Sequence, residues 1–82
     1  MADIIIALIT CGDEQQAFLI ARTLVEQRLA ACVNVLPPIQ SIYRWKGAVE
    51  SAKEILLLAK TTERSFPALR DRIVELHSYE VP

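Results

Sequence analysis

Apolar residues run without a break from Ile4 to Ile9, and Thr10-Cys-Gly-Asp13 closes the run. Alternation would mark a strand with one face in water. A continuous β-branched run marks a strand covered on both faces. Asp13, with Gln16 three residues on, has the form of a capping box. The spacing then predicts a helix over 14–29, with Ala17, Ile20, Ala21, Leu24, Val25 and Leu29 on one stripe. Strand character returns over 31–36. Pro37-Pro38 cannot donate to a ladder, so the chain must bulge, bend or lie at an edge there. Residues 39–45 resume the strand, and Lys46-Gly47 supplies a tight hairpin turn. The return arm, 48–61, is polar at Glu50, Ser51, Lys53 and Glu54, then apolar from Ile55 to Ala59. Helix-start signals follow at 61–65, and Pro67 suits a first turn. Phe66, Leu69, Ile73 and Leu76 mark the buried face of a helix reaching about His77, after which 78–82 leaves it in extended form.

The order β-α-β-β-α predicts an α+β domain of the ferredoxin-like, split β-α-β plan. It has a long hairpin between its second and third strands and lacks a last strand. With 82 residues the chain makes one domain, 1–82. Chains this short bury only about 60% of the surface that their unfolded state exposes. Yet 52% of the residues are hydrophobic and only 23% are charged. The stretch from Arg28 to Val49 is longer and more apolar than so small a domain covers easily. Self-association is the simplest outlet for that surface.

Charge narrows the classes. Nine basic residues against ten acidic ones give a net charge of −1, with no basic block. The electrostatic footprint of a nucleic-acid binder is therefore missing. The run at 4–9 is too short to span a bilayer and has no basic region before it, so neither membrane insertion nor a signal peptide is expected. Cys11 and Cys32 sit in patterns that read as buried. Reduced thiols in the cytoplasm are the expectation for both.

Four separated segments carry a resemblance. Arg28-Leu-Ala-Ala-Cys-Val-Asn-Val, Ser41-Ile-Tyr-Arg-Trp-Lys-Gly, Glu54-Ile-Leu-Leu-Leu-Ala-Lys-Thr and Leu76-His-Ser-Tyr-Glu-Val-Pro occur in this order across nearly the whole chain. They resemble the CutA family of divalent-cation tolerance proteins. The resemblance implies a ferredoxin-like subunit of a tight cytoplasmic homotrimer with no established catalytic activity. It also implies a role in tolerance of divalent metals, copper in particular. Two departures stand out. The family usually has His-Pro-Tyr where this chain has His77-Ser78-Tyr79. Family chains also continue beyond the position of Pro82 into a final strand and a C-terminal helix. A C-terminally incomplete domain is thus expected, short of the strand beside the first one and of part of the trimer contact. CutA subunits are also similar to the PII signalling architecture, which implies a second reading as a small-ligand sensor with a cleft between subunits. The tight turn at Lys46-Gly47 speaks against a loop-driven switch of that kind.

Cys11, Cys32 and His77 are the soft or borderline metal ligands, apart from Met1. In a split β-α-β plan the end of the first strand and the end of the second helix share one end of the subunit. Cys11 and His77 are therefore expected together there, with Cys32 at the other end. Cys32, within Ala-Ala-Cys-Val, reads first as a small core residue and only second as a ligand. Cys11, beside a helix N-terminus, is the better place for a lowered pKa. His77 at a helix end could simply complement the dipole. A closed structural zinc site has no support, since there is no Cys-x-x-Cys and no His-x-x-x-His. Copper or another divalent ion, weakly held at the His77 end between subunits, is the metal expectation. Tyr43, Arg44 and Trp45 near the hairpin tip suit an intersubunit interface, where aromatic and Arg side chains dominate. Their plainer reading is a tip covering its own sheet. Asn34, in an apolar strand, reads as structural. Glu50, Glu54, Glu63 and Glu80 read as solvated carboxylates. An acylphosphatase-like enzyme would need an Arg-bearing phosphate loop after the first strand. Thr10-Cys-Gly-Asp-Glu14 is acidic and has none.

Overall fold

The computed structural model of the chain describes residues 3–77. Its elements are β1 (Ile4–Cys11), α1 (Glu14–Glu26), β2 (Cys32–Val35), β3 (Ile39–Trp45), β4 (Ala48–Thr62) and α2 (Phe66–Leu76). β4 lies between β1 and β2, and β3 pairs with its first half, all antiparallel. This is the ferredoxin-like α+β arrangement: β1 and β2 run the same way on either side of β4, joined by α1. At about 3.3 Å per residue, the 15 residues of β4 run the length of a molecule whose longest dimension is 44 Å.

Both helices pack on one face of the sheet, and the core lies there. Ile9 and Cys11 of β1, Ile55, Leu57 and Ala59 of β4, Ala17, Ile20 and Leu24 of α1, and Leu69 and Ile73 of α2 form one buried cluster. Alternation along the strands assigns the opposite face. Ile6, Lys60 and Cys32 stand in one row of the ladder, and Leu8, Leu58 and Asn34 in the next. Neither described helix covers these rows. Ile4, Ile6 and Leu8 are 77%, 59% and 64% exposed. β1 is thus covered on one face only, whereas its uninterrupted apolar run predicts cover on both.

Helix α1 starts as its cap predicts: Asp13 is the N-cap, and its carboxylate accepts from the Gln16 amide at 2.8 Å. The helix stops at Glu26, short of the expected Leu29, because Arg28 turns into the left-handed region at φ 59. Val25, expected on the buried stripe, is 41% exposed. Pro67 falls in the first turn of α2, where a missing N–H does no harm. Residues 78–82, expected in extended form, lie outside the described residues.

The two prolines do more than interrupt a strand. From Val35 to Ile39 the chain advances four residues, while its partners on β4, Leu57 and Glu54, are three apart. One extra residue is therefore inserted, as in a β-bulge, and the side-chain alternation changes phase. Val35 shares the helix-covered face with Leu57. Ile39, Tyr43 and Trp45 share the other face of β4 with Glu54, Glu50 and Ala48. What the residue pattern shows as one bent strand is two strands on opposite phase, so the observed order is β-α-β-β-β-α.

Candidate functional sites

The end of β1 and the end of α2 meet. The His77 amide closes the last turn of α2 on the Ile73 carbonyl at 2.8 Å. Its ring, buried to 8% exposure, reaches across to β1, where Nε2 bonds the carbonyl of Thr10. A carbonyl oxygen only accepts, so Nε2 is the donor in this bond. Imidazoles that hold metals are commonly oriented in this way, by donation of the second ring N–H to a backbone carbonyl. The next residue, Cys11, is fully buried, on the face under the helices. Cys11 and His77 thus share one end of the domain.

Cys11 is not primed as a thiolate. Burial, followed by the charges of Asp13 and Glu54, pushes its thiol from an ordinary 9.0 up to about 11. The expectation of a lowered pKa beside the helix N-terminus fails here, because removal of the sulfur from water and two nearby carboxylates outweigh the helix amides. A metal bound through Cys11 would have to displace that proton. Among the described residues no three of His, Cys, Asp and Glu stand together as a set able to hold a metal ion.

Cys32 lies elsewhere on both counts. It pairs opposite Lys60, whereas Cys11 pairs opposite Ile55, a separation of about 17 Å along β4 at about 3.3 Å per residue. Its side chain is on the uncovered face, half-buried, with Sγ 3.9 Å from Asn34 Oδ1. It is outside the core cluster, so the small-core-residue reading does not hold. Its position in the β2 ladder turns it away from the helices. Asn34 stands on the same open face and is exposed.

At the far end, Lys46 (φ 49) and Gly47 (φ 81) make the two-residue turn of the β3–β4 hairpin. Two successive positive φ angles match the right-handed twist of the arms. The Lys46 ammonium sits 5.7 Å from the centre of the Trp45 ring. Trp45 and Tyr43 are 56% and 41% exposed and share one face of the hairpin. Arg44 pairs with Val49 on the other. The aromatic pair therefore stands on the same face of β4 as Leu56, Leu58 and Lys60, the uncovered face of Ile6 and Leu8, with Glu50 and Glu54 between. The residue pattern gave no view of this shared face, which depends on the phase change at the prolines.

These features define a ferredoxin-like α+β domain with both helices on one face, an open apolar sheet face opposite, and a hairpin reaching past the helices. Comparison with known proteins carries the assignment further. The profile of the CutA1 divalent ion tolerance protein family matches residues 5–82. The divalent-cation tolerance protein CutA of Thermus thermophilus is 53% identical over 77 residues, which is 94% of this chain and 75% of that protein. Protein CutA of Homo sapiens is 51% identical over 75 residues, 92% of this chain but 42% of that protein. Among solved structures, the divalent cation tolerance protein of Thermus thermophilus superposes with a TM-score of 0.91 at 51% identity, covering 100% of this chain and 78% of that one. CutA from Xylella fastidiosa gives 0.95 at 43% identity, covering 99% and 78%. The chain belongs to the CutA1 divalent ion tolerance family.

Proposed function

We propose that the chain is a non-catalytic subunit of a homotrimer that acts in tolerance of divalent metal ions, copper among them. Its relatives carry the divalent-cation tolerance name. The observation that carries the assembly is the open sheet face. β1 has a sequence suited to cover on both sides, and one side is bare. Burying an exposed Ile or Leu side chain is worth about 1.5–3 kcal/mol, so Ile6 and Leu8 favour a neighbouring copy. Tyr43 and Trp45 extend that face and serve as anchors, while Arg44 stands on the other face of the hairpin. Two free thiols too far apart to pair within the chain, Cys11 and Cys32, fit a reducing compartment such as the cytoplasm. No described helix is long and apolar enough to cross a membrane.

For the metal, we place weak binding at the Cys11–His77 end, completed by donors from a neighbouring subunit. Support comes from the orientation of the His77 ring by the Thr10 carbonyl and from the shared end of the two donors. Cys32, on the other face, takes no part in that site. A copper(II) titration of the protein and of His77→Ala tests the assignment. We expect the variant to bind at least about tenfold more weakly, the loss typical of removing a ligand or its orienting partner. Identical isotherms would remove His77 from the site. The rival reading, a sensor with an intersubunit ligand cleft, needs no mobile loop at Lys46-Gly47 and would leave copper binding unchanged in the same variant.

A further inference from the structure

Helix α1 ends in a complete Schellman arrangement. The Arg28 amide donates to the Val25 carbonyl at 3.0 Å, and the Leu29 amide donates to the Leu24 carbonyl at 2.9 Å. Leu29 packs back on the core that contains Leu24, as the motif's apolar contact requires. The left-handed residue of such a cap is usually glycine. Here it is Arg28, at φ 59, where a Cβ costs roughly 1–2 kcal/mol. Glycine would make the better cap, so the guanidinium calls for a reason outside folding.

The cap stands at the rim of a cavity of about 600 Å³ between the end of α1, the start of β2 and the end of β4. That volume is within the range of small-molecule sites. Ile4, Val25 and Leu29 contribute to a mostly apolar wall, and Arg28, Lys60 and Cys32 complete it. Among the described residues no carboxylate lines it. Among the described residues neither Arg28 nor Lys60 makes an ion pair. Two uncompensated cations over an apolar chamber complement an anion with an apolar body.

We propose that this cavity binds a small organic carboxylate with an apolar tail, of the size of a medium-chain fatty acid. The carboxylate is held by Arg28 and Lys60, and the tail lies along Ile4, Val25 and Leu29. The planar guanidinium fork matches the two oxygens of a carboxylate, and Lys60 adds a point charge. All of these walls belong to one chain, so the site does not depend on the metal reading; Ile4, Lys60 and Cys32 stand at the end of the open sheet face, so it rests on that margin staying clear when copies associate.

Cys32 makes occupancy measurable. It is half-buried on the cavity wall, while Cys11 is fully buried and serves as an internal reference. The test is the rate at which iodoacetamide alkylates Cys32 in the folded protein, read by mass spectrometry during titration with octanoate and, in parallel, with octan-1-ol. Octanoate is expected to slow alkylation saturably, at concentrations at least about tenfold below those the uncharged alcohol requires, since hydrogen bonds to charged groups exceed neutral ones. Arg28→Gly is expected to keep or raise thermal stability, because glycine suits φ 59. It should also need about tenfold more octanoate for the same protection. Lys60→Gln should shift the titration in the same direction. Failure of octanoate to protect wild-type Cys32, or equal protection of wild type and both variants, would overturn the proposal.

Discussion

Cys11 and Asp13 stand two residues apart at the turn from β1 into α1 and take opposite parts in it. Asp13 faces water and caps the helix. Replacing it by Ala should lower unfolding free energy by about 1 kcal/mol, the usual value of an N-cap, as chemical denaturation would show. Cys11 faces inward with its thiol pushed up to about 11 by burial and by Asp13 and Glu54. Its pKa is raised on folding, so its contribution to stability is whole below pH 9.0 and is lost as pH climbs through about 11. The wild type should therefore lose stability across that window by more than Cys11→Ala does. Parallel curves for the two proteins would contradict the raised value. Copper binding through Cys11 should release its proton, so affinity should rise with pH across the neutral range, and calorimetry in buffers of different ionisation enthalpy would detect the proton. At this scale the residue pattern identified the cap and the donors' shared end, because both follow from local spacing and strand order. It missed the direction of the Cys11 shift and the Thr10 carbonyl on His77, since both depend on three-dimensional neighbours: Glu54 is far from Cys11 in sequence and meets it only through the β1–β4 ladder.

Among the elements, the connection between β2 and β3 has the widest consequences. Pro37-Pro38 could be read as a break, and the break is there. Its effect on phase could not be read, because phase depends on how many residues of β4 lie opposite, and that count belongs to the ladder. The inserted residue turns Tyr43 and Trp45 onto the uncovered face. Deletion of Pro38 should restore the original phase and move both aromatics to the other side of the hairpin. The deletion variant is expected to keep its helix content by circular dichroism and to lose self-association. Helix content and assembly both unchanged would refute the role of the bulge. Gly47 is a milder case. A Cβ there meets nothing within 4 Å, so replacement acts through φ +81 alone. Gly47→Ala should cost about 1 kcal/mol, seen as a lower midpoint in urea with no change in slope.

For the whole molecule, one sheet carries two faces of different fate. The helices close one over Leu57 and Ala59, and the other presents Ile6, Leu8, Trp45 and Tyr43 to solvent. The run from Ile4 to Ile9 already carried this information: a strand apolar at every position is written for two covered faces, and the described residues supply only one cover. The identity of the second cover was not legible in it, because an apolar face is matched by many surfaces. The homotrimer is the reading that family membership and the open face together favour. Leu8→Glu places a charge at its centre without touching the helix-side core, and should leave the fold intact while preventing association. The most direct test is the solution mass by light scattering at micromolar concentration. A homotrimer gives a particle of three times the 9.2 kDa chain for the wild type, and Leu8→Glu should give a single-chain mass. A wild-type protein that stays folded at 9.2 kDa under those conditions would contradict the trimer.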